Sequence, residues 1–150
     1  MKSLLLILLS VGLLWLKSSF GKIISGNFVS NLGATLTKTA DKNPYPWFKQ
    51  FLTSVAIPNS QVFGNLVMWG EFLSAVAITI GAFLLLVSPK VNKLVVLMLI
   101  VGLVGGAFLN INFWLGFGYS NPSTDSLNLL MAVVEIIGII SLVPSLSKRS

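Results

Sequence analysis

Four long stretches of this chain contain few charged residues, and this feature constrains the fold more than any other. They cover about residues 3–26, 61–87, 94–113 and 125–146. As a helix, each is long enough to cross the ~30 Å hydrocarbon core of a bilayer at about 1.5 Å per residue. The sequence therefore predicts an all-α membrane protein, with four transmembrane helices in a bundle that forms one domain over residues 1–150.

Composition excludes several classes of protein. Charged residues make up 9% of the chain, against about 25% in ordinary soluble domains. The chain has no Cys and no His, which excludes disulfides, Cys- or His-ligated metals, His-ligated haem and an imidazole base. We expect no metal site and find no self-sufficient catalytic motif, so the sequence leans against an enzyme. The net charge of +6 is attributed to topology and not to nucleic-acid binding.

The first apolar stretch could also be a secretory signal peptide, because Lys2 precedes an apolar run. No small-x-small cleavage site follows that run, so we expect a retained spanning helix.

Residues 27–60 separate the first two spans and differ from them in composition. Phe48, Phe51, Leu52 and Val55 recur at helical spacing, which predicts a short amphipathic helix lying on the membrane surface.

Charge placement predicts the topology. Basic residues near the membrane mark the cytoplasmic side, which predicts an inner-membrane protein with both termini cytoplasmic and residues 27–60 outside. The residues that carry this prediction are Lys2, Lys90, Lys93, Lys148 and Arg149.

Ionisable residues inside the spans are costly in lipid and usually face a partner or a cavity. Glu71 and Glu135 lie near the midplane of the second and fourth spans, and Lys17 and Lys22 lie in the outer half of the first. We expect Lys17 or Lys22 to pair with one or both glutamates. Four interpretations stay open: an ion pair that locks the packing, a proton-handling or ligand-binding site, a glutamate that faces a partner subunit, and a glutamate that is protonated and hydrogen-bonded.

Two asparagines complete the candidate polar cluster. Asn128 lies seven residues before Glu135 and shares its helical face, and Asn110 ends the third span. Asn110 could help to line an outward-opening pocket or serve only in capping. For Asp125, which follows a Pro-Ser-Thr sequence, we predict helix capping.

An aromatic loop is predicted between the third and fourth spans, at residues 114–124. Such clusters usually anchor a protein at the membrane interface, although a flat quinone-like ring could stack there. The aromatic residues concerned are Phe113, Trp114, Phe117 and Tyr119.

Three stretches of the sequence are similar to the DoxX/DoxD family of small four-helix membrane proteins. They are residues 12–23, residues 69–71 with the Gly-Ala-Phe of 81–83, and Asn121-Pro122. The resemblance implies Lys22 and Glu71 as the family's polar positions, and work beside redox or detoxification enzymes. Some members are the membrane subunit of a thiosulfate:quinone oxidoreductase. This chain departs from the many members that carry further His, Arg or Cys residues, since its only Arg is Arg149.

Three functions remain open at this point. The first is an accessory or anchoring subunit of a larger membrane complex, which could be quinone-linked. The second is a quinone-binding redox subunit with Lys22, Glu71 and Glu135 around the headgroup, and the third is a small carrier or channel. The expected partners are the lipid bilayer and other membrane subunits, and a quinone is the cofactor that the first two allow.

Overall fold

The computed structural model describes residues 1–88 and 92–147, and every regular element among these residues is helical. The elements are α1 (Lys2–Ser25), α2 (Phe28–Ala40), α3 (Pro46–Phe51), a π-helical turn (Leu52–Ala56), α4 (Ser60–Val87), α5 (Lys93–Phe117), a 3-10 turn (Gly118–Ser120) and α6 (Pro122–Ser147).

Four of these helices, α1, α4, α5 and α6, are long and apolar enough to cross a membrane. Their bounds agree with the four predicted spans to within four residues at every end. The prediction of an all-helical chain with four candidate spans is therefore confirmed.

The four long helices pack side by side. The closest packing joins α1 to α4, α4 to α5 and α5 to α6, while α1 and α6 approach each other at only a few residues. Between the helices lies an apolar core in which Leu8, Ile78, Leu99 and Leu103 are fully buried. The outward faces are also apolar, as expected of helices that meet lipid.

Both described ends of the chain lie at the same end of the helices. One small pocket brings together the start of α1, the end of α4, the start of α5 and the end of α6. Its lining includes Met1, Leu85, Val96 and Ser145. Consecutive long helices therefore run in opposite directions. The predicted topology also used Lys90, Lys148 and Arg149, which lie outside the described residues.

The opposite end is covered by residues 28–56, which we call the end cap. Its own small core contains Leu32, Leu36, Phe48 and Leu52, against which Phe117 of α5 packs. The side-chain amide of Asn43 donates a 2.9 Å hydrogen bond to the Leu115 carbonyl. The end cap is thus tied to the end of α5.

The end cap holds more helix than the sequence predicted. A helix does occur where Phe48 and Leu52 indicated one, but α2 was not predicted. The sequence predicted Val55 on the apolar face of the amphipathic helix, but its side chain is 41% exposed. The π-helical turn changes the angular spacing of residues at this point, and Ala56 is buried instead.

The connection between α5 and α6 corrects two predictions. The aromatic loop is mostly helix, because α5 continues to Phe117 and a 3-10 turn follows. Asp125 lies in the first turn of α6 and accepts a 2.6 Å hydrogen bond from the Trp114 indole. The residue that caps the start of α6 is instead Asn121, whose Oδ1 accepts a 2.8 Å hydrogen bond from the Ser123 backbone N–H.

Candidate functional site: two buried carboxylates beside the first helix

Glu71 on α4 forms an ion pair with Lys22 on α1. The Glu71 side chain is 0% exposed, whereas that of Lys22 is 22% exposed. Ser18, one turn before Lys22, also donates to the Glu71 carboxylate at 3.4 Å. The pairing of a lysine with a glutamate was predicted, and the structure assigns it to Lys22.

Two aromatic rings flank the ammonium group of Lys22. Its Nζ lies 5.1 Å from the centroid of Phe28 in the end cap and 5.3 Å from that of Phe113 on α5. Rings at this distance attract a cation through their electron-rich faces. Glu71, Phe28 and Phe113 together hold Lys22 beneath the end cap.

Glu135 on α6 is also 0% exposed, but its partners are neutral. The Trp15 indole donates to Oε1 at 2.7 Å, and the Asn110 amide donates to Oε2 at 2.8 Å. Neither Lys17 nor Lys22 is paired with it among the described residues. The two donors satisfy both oxygens, which a buried polar group requires.

One face of α1 serves both carboxylates. Trp15, Ser18 and Lys22 are spaced by three and four residues, so they line the same side of the helix. Seven residues separate Trp15 from Lys22, which places the two sites about 10 Å apart along the helix axis at 1.5 Å per residue. Phe113 bridges this distance, because its ring centroid lies 6.2 Å from that of Trp15.

Gly106 makes space for the Glu135 carboxyl group. A Cβ atom at position 106 would collide with Oε1 of Glu135 and lie 3.1 Å from Nε1 of Trp15. The neighbouring Gly102 faces α4 instead, where its Cβ would lie 2.9 Å from Ala77. Both glycines therefore allow close packing of helices within the chain.

Two predicted members do not join the cluster. Lys17 is exposed and forms no ion pair with any residue that the structure describes. Asn128 donates to the Thr124 carbonyl of its own helix at 2.7 Å, so the shared helical face does not bring it to Glu135. Asn110 does join the cluster, through Glu135.

The predicted aromatic residues separate into two groups. Phe113 lies inside, against Trp15 and Lys22. Trp114 bonds to Asp125, and the Tyr119 hydroxyl donates to the Thr39 carbonyl of the end cap. These last two residues hold the end cap and α6 to the end of α5.

The enclosed geometry limits the chemistry at these sites. Both carboxylates are shut away from solvent and lipid, and every bond described for them joins two helices. Lys22 is 22% exposed, and Ser18, the other residue that donates to Glu71, is also exposed. The arrangement fixes α1 against α4, α5 and α6, and a ligand could reach a carboxylate only by displacing the residues that are bonded to it.

Comparisons with protein-family models, with curated proteins and with solved structures find no match to this chain.

Proposed function

We propose that this chain is a DoxX-like integral membrane protein that serves as an accessory or anchoring subunit of a larger membrane complex. One observation carries the proposal. Of the charged residues of the four long helices, Glu71, Glu135, Lys22 and Asp125 are bonded within the chain. Lys2 and Lys93 are the first residues of their helices, whereas Lys17 lies inside α1, is exposed and has no ion pair among the described residues. The internal polar groups therefore stabilise the protein, and the outward face is left for contact with a partner.

The proposal includes a membrane orientation. Both termini face the cytoplasm, and the end cap lies outside in contact with the headgroups. The support is the count of basic residues along the sequence, five on the proposed cytoplasmic side (Lys2, Lys90, Lys93, Lys148 and Arg149) against three in the end cap (Lys38, Lys42 and Lys49). Trp47, which is 61% exposed on the end cap, suits the interfacial region where tryptophan is enriched.

Quinone binding is the second candidate, and the exposure of Lys22 is what favours it. A ring entering beside Phe28 and Phe113 would meet the ammonium of Lys22 before any other charge. It would have to displace Glu71 from Lys22, which costs more than binding at an open site. A carrier is less well supported, because the core beyond Glu135 is filled by buried leucines such as Leu8 and Leu103.

The test is extraction of the tagged chain from its native membrane in a mild detergent, followed by a native gel, mass spectrometry and an absorption spectrum of the band. We expect the chain to migrate in a large assembly with identifiable membrane proteins. Extraction in a harsher detergent is the control, because it should release the chain alone. Migration as a free monomer in the mild detergent would contradict the subunit role, and a quinone spectrum in that band would favour the second candidate.

A further inference from the structure

Lys17 lies on the outward face of α1 at a depth where a lone cation is costly. It precedes the end of α1 at Ser25 by eight residues, or about 12 Å at 1.5 Å per residue. Ser18, its neighbour, bonds to Glu71, so Lys17 is level with the buried ion pair but faces away from it. Ionisable groups inside a membrane usually pair with one another or with backbone carbonyls, and the described residues offer Lys17 no acidic partner.

An exposed aromatic cluster lies beside Lys17. Phe20 lies three residues after Lys17 on the same face of α1, and its side chain is 49% exposed. Its ring packs edge-on against Phe72 of α4, with 5.8 Å between centroids. Trp69, which is 48% exposed, also packs edge-on with Phe72, at 6.0 Å between centroids. We call Lys17, Phe20, Trp69 and Phe72 the α1–α4 patch.

We infer that the α1–α4 patch is the contact surface for a spanning helix of a partner protein, and that this helix presents an acidic side chain to Lys17. The inference rests on the proposed subunit role and names the surface and chemistry through which it acts. Charge complementarity selects the acidic partner, because Lys17 is a single exposed cation in an apolar surround. Large aromatic side chains are the residues that contribute most at protein interfaces.

A second copy of this chain is a poor occupant of the patch. In a symmetric dimer the same surface would meet itself, which would bring two Lys17 ammonium groups together without an acidic residue between them. The acidic residues of the long helices do not lie on this face, since Glu71 and Glu135 are buried and Asp125 is bonded to Trp114.

The first experiment is site-specific photo-crosslinking in the native membrane. A photoreactive phenylalanine analogue replaces Phe20 in the patch or, as a matched control, Phe108, which is 66% exposed on α5. We expect a crosslink from position 20 to a membrane protein with an acidic residue in its span, and none to that protein from position 108. Equal crosslinking from both positions, or a self-crosslink from position 20, would overturn the inference.

The second experiment measures how much partner co-purifies with charge variants. Lys17→Gln should reduce the co-purified partner by about tenfold or more, because it leaves the partner's acidic group unpaired in a desolvated interface. Lys17→Arg should retain the partner. Lys38→Gln is the matched control, because Lys38 is an exposed lysine of the end cap with no described bond and should behave as wild type.

The outcomes separate the inference from the subunit role. If the wild-type chain purifies in an assembly that Lys17→Gln leaves intact, the α1–α4 patch is not the contact surface, and the subunit role stands. If the wild-type chain purifies alone, the subunit role itself fails. If Lys17→Gln removes only a bound anionic phospholipid, detected by native mass spectrometry, then Lys17 is a lipid contact and the inference is overturned.

Discussion

The indole of Trp15 donates a 2.7 Å hydrogen bond to Oε1 of Glu135 across 120 residues of sequence. This bond joins α1 to α6, two helices whose direct contact is small. Together with the ion pair between Lys22 and Glu71, it attaches α1 to helices on two sides. The buried polar groups therefore act on the relative positions of the long helices.

Trp15→Phe should lower the free energy of unfolding by about 1–2 kcal/mol, which is the size of a good interhelical hydrogen bond in a membrane protein. The substitution keeps an aromatic ring in place but leaves Oε1 of Glu135 without its donor. Unfolding of the purified chain in mixed micelles of increasing SDS content measures the change. Trp47→Phe, at an exposed position, is the control and should unfold as wild type, and equal effects of the two substitutions would contradict the assigned bond.

Removal of Lys22 should destabilise the protein more than neutralisation of Glu71. In Lys22→Met a fully buried carboxylate loses its cation, which costs about 3 kcal/mol or more. In Glu71→Gln the remaining Lys22 side chain is already 22% exposed, and its ammonium group can turn outward. The same unfolding measurement ranks the two variants, and the double variant should recover part of the loss in Lys22→Met. The reverse ranking would show that the pair is not held as described.

Gly106→Ala should cost about 1–3 kcal/mol, as expected when a methyl group is forced into a packed core. The added Cβ would collide with the Glu135 carboxyl group and press on the Trp15 indole. Gly21→Ala in α1 is the control, because nothing lies within 4 Å of its added Cβ and alanine favours helix over glycine by about 1 kcal/mol. A neutral effect of Gly106→Ala in the unfolding measurement would mean that Glu135 has more space than the structure gives it.

Hydropathy alone predicted the four long helices, because lipid demands an apolar, fully hydrogen-bonded segment of a fixed length. It missed α2, where weak helix formers such as Thr35 and Thr37 hide the signal. The clue in the sequence was the spacing of four residues between Leu32 and Leu36, which the structure shows to be buried.

The candidate site was predicted in part. The sequence named Lys22, Glu71, Asn110 and Glu135, but it could not choose between Lys17 and Lys22, since both lie in the outer half of the span. The choice depends on the rotation of α1, and the three-to-four spacing of Trp15, Ser18 and Lys22 would have favoured the face with Lys22. That Trp15 bonds to Glu135 depends on tertiary packing, which no local pattern encodes.

Single cysteines should show both ends of the described chain on one side of the membrane and the end cap on the other. The chain contains no cysteine of its own, so Ser3→Cys, Thr37→Cys and Ser147→Cys each give one exposed thiol. In intact cells a membrane-impermeant maleimide should label Thr37→Cys alone, and the other two should react only after the membrane is opened. Labelling of Ser3→Cys from outside would contradict the proposed orientation.

The central claim is that the buried carboxylates hold the fold together while the outward face makes the partner contact. The most direct test compares wild type, Lys17→Gln and Glu135→Gln in two measurements, the SDS unfolding midpoint of the purified chain and the partner recovered per folded chain. We predict that Lys17→Gln keeps its midpoint and loses the partner, and that Glu135→Gln has a lower midpoint with unchanged recovery. The account would be contradicted if Glu135→Gln kept its midpoint and lost the partner while Lys17→Gln kept both.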